Sequence, residues 1–165
     1  MTEITTELVK ELRDKTGVSV MQCKKALEEA GGDMEKATAL LLEKSAEIAG
    51  KKSDRTLGAG VIGTYVHSTG TIGVMVELLC ETDFVAKNEE FKALARDIAM
   101  QVSATDPKFV KAEDAGAENE PEAVLLNQPF IKNPEVTIIN LVQSATQKFG
   151  EKIEVSRFVR FSIAQ

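Results

Sequence analysis

The spacing of the apolar residues changes near residue 57, and this change limits the possible folds more than any other feature. In residues 1–50, apolar side chains recur every three or four positions, which is the spacing of one helix face. In residues 61–79 they fall into two β-branched runs that are typical of strands. The sequence therefore predicts an α+β fold, in which a helical module precedes a core domain with an antiparallel sheet of about three strands packed by helices.

Three short helices are predicted in the module of residues 1–50, and each has its own boundary signals. Gly17 ends the first helix, the pair Ser19 and Gln22 forms a capping box that begins the second, and Asp33 caps the third. A three-helix bundle of this size would be only marginally stable by itself. The residues expected to face its core are Ile4, Leu8 and Leu12, then Val20, Cys23 or Lys24, and Leu27, and finally Met34, Ala37, Leu40, Leu41 and Ile48.

A linker and a core domain are predicted to follow this module. Residues 51–57 are small and polar, as in a linker, and the core domain is expected at residues 58–165. Its first part is a hairpin of residues 61–67 and 71–79, with Ser68-Thr69-Gly70 as the turn. Asn88 then caps a long helix that ends at Asp106-Pro107. The predicted apolar face of that helix is Phe91, Leu94, Ala95, Ile98 and Val102.

The last third of the chain is predicted to contain one helix and one strand. Residues 111–123 are acidic without a period, which indicates a surface loop or a weak helix. Asn133 is expected to cap a helix with Pro134 at its first position, and Gly150 to end that helix. The final strand should have one buried face, interrupted by Arg157 and formed by Ile153, Val155, Val159, Phe161 and Ile163.

The charge balance and the scarcity of metal-binding residue types exclude several classes of function. With 20 basic and 26 acidic residues, the net charge of −6 argues against a protein that mainly binds nucleic-acid phosphates. Two cysteines and the single His67 cannot supply a Cys/His metal site. No apolar run approaches the roughly 20 residues of a membrane helix. We therefore expect no metal, no cofactor, no direct contact with nucleic acid or membrane, and a cytoplasmic location.

Residues 80–88 (CETDFVAKN) are the stretch most suggestive of function, because they join the second strand to the long helix. The residues alone leave two interpretations open. Either Asp83 and Phe84 form an exposed functional tip, or Thr82 or Asp83 is a helix cap and Phe84 fills the core. Glu77, Glu81 and Asp83 are also a candidate acid/base group, although no phosphate loop or cofactor motif accompanies them.

Two motifs of the chain resemble those of the bacterial elongation factor Ts family. Residues 12–27 (LRDKTGVSVMQCKKAL), with Gly32-Asp33 and Ala37 after them, are similar to the N-terminal signature of that family. Residues 82–88 (TDFVAKN) are similar to its second signature. The resemblance continues through Phe109-Val110, through residues 128–130 and into the final strand at residues 157–161, so it spans nearly the whole chain.

The resemblance implies a translation factor that acts by binding rather than by covalent chemistry, and hence not an enzyme in the usual sense. Such a protein binds elongation factor Tu with GDP and promotes exchange of GDP for GTP. The residues that correspond to the Mg²⁺-displacing segment are Thr82, Asp83, Phe84 and Val85. Phe84 would wedge between side chains of the partner, while Asp83 intrudes beside the nucleotide site. The phosphate-binding loop and the Mg²⁺ of the partner would be disturbed together.

The resemblance also implies a role for the N-terminal module, which is similar to a ubiquitin-associated fold and would dock on the GTPase domain. The matching positions expected to contact the partner are Leu12, Arg13, Thr16, Gly17, Met21 and Lys24. Val18-Ser19-Val20 departs from the small-residue pattern that is usual in the family before Met21. A ubiquitin-associated-type adaptor that only docks on a protein partner is the alternative function.

The core domain is shorter than in long members of the family, which carry two core subdomains and a protruding helical hairpin. Here a single hairpin and helix lead directly to the C-terminal helix and strand. This arrangement resembles the short forms of the family, which pair two chains. A homodimer is therefore expected.

Overall fold

The computed structural model describes residues 2–116 and 120–163. Their contacts group into two units, one formed by the described residues up to Asp54 with Asn140–Glu151, the other by Arg55–Ile139 with the described residues from Lys152 onward. The predicted α+β class is confirmed, because N-terminal helices precede a three-stranded antiparallel sheet with helices. The functional domain boundaries at residues 50 and 58 stay predictions.

The first unit begins with helices α1 (Thr6–Thr16), α2 (Val20–Glu29) and α3 (Met34–Lys51). Both predicted caps are present: the Ser19 side chain accepts a hydrogen bond from the backbone N–H of Gln22, and the Asp33 side chain accepts one from that of Lys36. Gly17 follows α1 in the left-handed conformation, with φ of 70°. The buried core of the three helices is formed by Val9, Leu12, Val18, Cys23, Ala26, Leu27, Ala37 and Leu41.

Two residues expected in this core are exposed instead. Val20, at the first position of α2, is 51% exposed, and Leu40 is also exposed. Cys23 and Leu27 are buried on α2, whereas Lys24 is exposed, so the alternative of Cys23 or Lys24 is decided for Cys23. Val20 lies one turn before Cys23 and Lys24, and Val18, in the loop before the helix, fills the core beside them. The expectation for Val20 was therefore wrong.

Most of helix α7 (Ile138–Phe149) groups with these three helices. The Gln147 amide joins them by side-chain hydrogen bonds: its Nε2 donates to Gln22 Oε1 over 2.6 Å, and its Oε1 accepts from the hydroxyl of Ser45. Ser45 is fully buried, so this bond supplies the partner that a buried hydroxyl needs. Gly150 ends α7 at φ 71°, as predicted.

The sheet of the second unit has the strand order β1-β2-β5, with both pairs antiparallel. The strands are β1 (Ala59–Val66), β2 (Ile72–Cys80) and β5 (Glu154–Ser162), and the predicted turn at residues 68–70 joins the first two. Helices α4 (Asp83–Ala86) and α5 (Glu89–Thr105) follow β2. Asn88 caps α5 as predicted, by accepting a hydrogen bond from the N–H of Glu90 over 2.8 Å.

Helix α5 covers one face of the sheet, which we call the inner face. Its residues Phe91, Ala95, Ile98 and Val102 are fully buried, as the period of the sequence predicted. Asp106 ends the helix in the left-handed conformation. The inner-face residues of β2 are Val74, Val76, Leu78 and Cys80, all buried.

The segment after α5 is irregular and is held to that helix by a buried amide. Gln101 donates from Nε2 to Gln128 Oε1 and to the carbonyl of Pro129, each over 3.1 Å, and accepts from the N–H of Ile131. The elements here are α6 (Ala112–Ala115), two 3-10 turns (Pro121–Ala123 and Leu125–Asn127) and a ribbon of β3 (Pro129–Phe130) with β4 (Asn133–Thr137). The loop or weak helix predicted at residues 111–123 extends over 117–119, which lie outside the described residues.

The helix cap predicted at Asn133 is wrong, because residues 133–137 form strand β4. The Asn133 side chain accepts a hydrogen bond from the N–H of Glu135, a local turn that imitates a cap without starting a helix. Pairing with β3 keeps the segment extended until Ile138, whose N–H donates to the carbonyl of Gln128 and where α7 begins.

A β-bulge in β5 changes which side chains of the last strand are buried. Glu77 pairs with Arg157, but Leu78 pairs with Val155, so Ser156 is an extra residue and the alternation of faces reverses there. Ile153 and Val155 are buried as predicted. The other members of the predicted buried face are exposed, and for them the prediction is wrong; they are Val159, Phe161 and Ile163.

Candidate partner-binding surfaces

Residues 82–86 form one short helical turn where β2 ends. The Oγ1 of Thr82 accepts a hydrogen bond from the backbone N–H of Val85 over 3.5 Å, which caps α4. Val85 and Ala86 are buried, whereas Thr82, Asp83 and Phe84 are exposed. The turn is therefore anchored by its last two residues and presents its first half to solvent.

Phe84 is 86% exposed, the highest value among the large hydrophobic residues that the structure describes as exposed. Burying a phenylalanine side chain is worth about 1.5–3 kcal/mol, so the fold gives up this stabilisation at the tip. The interpretation of Phe84 as core filler is excluded by this exposure. The accompanying suggestion that Thr82 caps a helix holds, and the two features coexist.

The candidate acid/base residues are held by basic or backbone partners. Arg157 Nε lies 3.2 Å from Glu77 Oε2. Glu81 Oε1 lies 3.2 Å from a guanidinium nitrogen of Arg55, and its Oε2 accepts from the backbone N–H of Lys152 over 2.9 Å. These contacts give both glutamates a structural role, so the arrangement does not favour proton-transfer chemistry.

The residues matched in the N-terminal signature divide into buried and exposed ones. Leu12 and Thr16 are buried, and the Thr16 hydroxyl donates to the Leu12 carbonyl over 2.7 Å. Gly17 supplies the left-handed residue that ends α1, a conformation that costs a residue with Cβ about 1–2 kcal/mol. These three residues shape the module. The side chains of the set that reach the surface are Arg13, Met21 and Lys24.

Met21 is 81% exposed at the start of α2, beside the exposed Val20. Two adjacent exposed apolar residues at a helix start are a typical feature of a protein-binding surface. Sequence reasoning assigned Val20 to the core and so missed its place in this surface. The signal available was its position directly after the Ser19 cap, where a side chain precedes the first full turn.

The chain offers little for a metal or a reactive thiol. Among the described residues, no group of three His, Cys, Asp or Glu side chains is arranged to hold a metal ion. Cys23 and Cys80 are free and buried. Burial raises the pKa of the Cys23 thiol above its ordinary 9.0, against smaller lowering effects from the Thr16 hydroxyl and the charge of Arg13. No helix in the described part of the chain is long and apolar enough to span a membrane.

Sequence reasoning also missed an exposed apolar surface on the sheet. The side of the sheet opposite α5, which we call the outer face, carries five exposed large apolar residues. The signal was present in the final strand, whose apolar parity includes Arg157. A charged residue within an apolar parity is unusual for a buried face. The five residues are Ile62, Val66, Met75, Val159 and Phe161.

Comparison with known proteins identifies the family. A family model described as Elongation factor TS matches residues 2–120. Elongation factor Ts of Carboxydothermus hydrogenoformans is 45% identical over 195 aligned positions, which cover 98% of this chain and 90% of that protein. The proteins of the same name from Thermodesulfovibrio yellowstonii and Synechococcus elongatus are 45% and 41% identical, with 98% and 100% of this chain covered and 97% and 90% of theirs.

The alignments also show that this chain is shortened. An alignment of 195 positions to a chain of 165 residues contains at least 30 positions that the chain lacks. The similarity nevertheless extends over nearly the whole chain, and the matched region contains both the N-terminal signature and the turn at residues 82–86. The chain therefore belongs to the elongation factor Ts family of bacterial translation elongation factors.

Proposed function

We propose that this protein binds elongation factor Tu with GDP and promotes the exchange of GDP for GTP, using the turn at residues 82–85. The single observation that carries the proposal is the exposure of Phe84 on a turn whose neighbours are fixed. An apolar ring held outside the core in this way suits insertion into a pocket of a partner, where truncation of such an aromatic residue typically costs 2 kcal/mol or more.

Rigid presentation is the physical advantage of this turn. Burial of Val85 and Ala86 and the Thr82 cap fix the backbone on either side of Phe84. A pre-ordered side chain loses less conformational entropy on binding than a mobile one. The scaffold therefore favours directing binding energy into distortion of the partner.

The proposed action is on the metal and phosphate site of the partner. Mg²⁺ and the phosphate-binding loop hold GDP together, so a ring and a carboxylate inserted beside them weaken the hold on the nucleotide. Phe84 would wedge between partner side chains, and the exposed Asp83 would enter beside the nucleotide site. The factor then prefers the nucleotide-free partner, and by reciprocal coupling incoming nucleotide drives the factor off. This is exchange by binding, without covalent chemistry and without a cofactor of its own.

The N-terminal module supplies a second contact in this proposal. Of the matched residues, Arg13, Met21 and Lys24 reach solvent and are the proposed contact side chains. Leu12, Thr16 and Gly17 would act indirectly, by fixing the geometry between α1 and α2. The module would raise the affinity for the GTPase domain, while residues 82–85 perform the displacement.

We further propose that the protein works in the cytoplasm, where translation elongation takes place, and as a homodimer. One three-stranded sheet is present in the described residues, and its outer face remains exposed in the single chain. A sedimentation experiment that finds a stable and fully active monomer would contradict the dimer while leaving the exchange activity intact.

Release of fluorescent GDP from elongation factor Tu tests the proposed function. Wild-type protein should accelerate release, and Phe84→Ala should lose at least about tenfold of that acceleration, equivalent to 1.4 kcal/mol. Ile131→Ala is the matched control, because Ile131 is an exposed apolar residue in the same unit but lies outside the turn. Equal acceleration by Phe84→Ala and wild type would contradict the wedge.

The same measurement separates the exchange factor from the adaptor. An adaptor would bind elongation factor Tu in a pull-down without changing the rate of GDP release. Point substitutions are preferable to removal of residues 1–55, since α7 residues in the same unit depend on that segment through the Gln147 contacts to Gln22 and Ser45. An enzyme based on Glu77 would instead lose turnover in Glu77→Gln, a result that the exchange proposal does not predict.

A further inference from the structure

The outer face of the sheet is an apolar surface with a defined boundary. Its exposed apolar side chains come from all three strands, and the most exposed, Phe161, shows 70% of its surface to solvent. Residues that pair across the strands on this face include Met75 with Val159 and Ile62 with Glu77. A three-stranded patch of this kind covers about 15 Å by 23 Å, roughly 350 Å² in plan. That is the size of the largest apolar patches found on monomers, which are frequently interaction sites.

The charges on this face balance within the face itself. Glu77 and Arg157 are opposite each other on β2 and β5, with Arg157 Nε 3.2 Å from Glu77 Oε2. The remaining outer-face side chains of the strands are apolar or uncharged, so the face carries no net charge although the chain carries −6. A surface that is neutral by internal pairing is compatible with a second copy of itself, whereas a strongly charged partner would find no complementary charge here.

The face also contains a projection and a recess side by side. Gly73 lies between Val66 and Phe161 in the strand pairing, and a Cβ built on Gly73 would have only Val66 Cγ2 near it, at 3.9 Å. The position is therefore open on the outer side, next to the projecting ring of Phe161. An interface that pairs a surface with itself about a two-fold axis requires both features on one surface.

The bulge at Ser156 is what turns this surface outward. Without the extra residue, the parity of Val155 would continue to Val159 and Phe161 and place them under α5 with the inner-face residues. The sequence carries the apolar residues and the residue that exposes them together. Bulges of this type aim side chains at specific positions and are rarely incidental.

We propose that the outer face is the interface at which two copies of this chain join, packing sheet against sheet in an isologous dimer. The inference rests on the proposed self-association and names its surface. Packed sheets lie about 10 Å apart and interdigitate their side chains, which would bury Ile62, Met75, Val159 and Phe161 from each copy. The area is below the about 800 Å² per partner of a standard interface, so the dimer should dissociate on dilution.

Sedimentation equilibrium over a range of protein concentrations provides the test. Wild type should show a concentration-dependent dimer, and Val159→Lys or Met75→Lys should raise the dimer dissociation constant at least about tenfold. Ile131→Lys is the matched control, with a similarly exposed apolar residue outside the face. A wild-type monomer at every concentration, or a dimer that both lysine variants retain, would overturn the proposal.

A labelling experiment keeps the proposal testable if a lysine variant fails to fold. Cys23 and Cys80 are buried, so the thiol of Val159→Cys should dominate reaction with a maleimide. Its labelling rate should fall as protein concentration rises, whereas a rate independent of concentration would contradict burial between copies. Protection that appears only when elongation factor Tu is added would assign the face to that partner and overturn the dimer interface.

GDP release distinguishes this failure from failure of the proposed function. The lysine variants should still accelerate release through Phe84, because the turn at residues 82–86 is not part of the outer face. Loss of the dimer with retained exchange supports the surface assigned here. Retained dimerisation without exchange activity would contradict the proposed function and leave the interface standing.

Discussion

Gly63 of strand β1 lies directly against Ala95 of helix α5. A Cβ built on Gly63 would be 2.5 Å from the backbone carbonyl carbon and oxygen of Ala95 and 2.8 Å from its Cβ. Both residues are buried, Ala95 completely. The absence of a side chain at Gly63 therefore allows α5 to approach the sheet closely, and this approach supports the element that leads from the turn at residues 82–86.

Gly63→Ala should destabilise the protein by about 1–3 kcal/mol, because the added methyl meets backbone that must move. Urea unfolding monitored by circular dichroism gives the free energy of unfolding. Gly73→Ala is the control in the same sheet, since its Cβ would have only one neighbour, at 3.9 Å. Equal stability of the two variants would show that the close contact between β1 and α5 is absent in solution.

Thr82→Val should weaken the exchange activity without abolishing it. The substitution retains the shape of the side chain but removes the oxygen that accepts from the N–H of Val85. Loss of a helix cap costs about 1 kcal/mol, which corresponds to a roughly fivefold smaller population of the ordered turn. GDP release from elongation factor Tu measures the effect, and Thr82→Ser, which keeps the hydroxyl, should behave like wild type. A Thr82→Val protein with full activity would show that the cap does not position Phe84.

Lys24→Ala should lower the affinity for elongation factor Tu several-fold, while Lys25→Ala should leave it unchanged. The two lysines are closely matched: their side chains are 63% and 65% exposed, and each pairs with a glutamate four residues later on α2. Exposed pairs of this kind contribute little to stability, so neither change should alter unfolding. Titration calorimetry with elongation factor Tu gives the affinities. Equal affinities for both variants would remove Lys24 from the proposed contact surface.

The stability contributed by Cys23 should decrease in alkaline solution. Burial raises the pKa of its thiol in the folded state above the ordinary 9.0, so the folded protein holds the proton more tightly than the unfolded chain. This contribution is complete below pH 9.0 and is lost as the pH rises through the folded-state pKa.

Urea unfolding of wild type and Cys23→Ala at neutral and at alkaline pH tests this expectation. The stability advantage of wild type over the variant should be smaller in the alkaline sample, because only wild type must keep a thiol protonated at position 23. The comparison cancels the titration of every other group, including Cys80. An advantage that is the same at both pH values would contradict the raised pKa.

The local elements of this protein could be predicted because neighbouring residues decide them. The capping residues Ser19, Asp33 and Asn88 satisfy backbone N–H groups within three positions, and the turn at residues 68–70 joins adjacent strands. The same holds for the identity of the turn at residues 82–86, whose signature is contiguous. Whether Phe84 lies inside or outside the core was left open by the residues alone, and the structure leaves it exposed.

The failures occurred where distant residues decide. Asn133-Pro134 has the local form of a helix start, but pairing of residues 133–137 with β3 makes it a strand. Val20 has the apolar character of a core residue, yet Val18 and Cys23 already fill that position. In both cases the propensity of a short segment was overruled by contacts that its own sequence does not contain.

The sequence by itself determined the helices with their caps, the hairpin, the two family signatures and the order of a helical module before an α+β core. These depend on hydrogen bonds and side-chain periods within a few residues. Only the tertiary structure decided the faces of β5, because the extra residue Ser156 is defined by its register against β2 and not by its identity. The same register exposes Val159 and Phe161, so the proposed interface follows from strand pairing that no local pattern specifies.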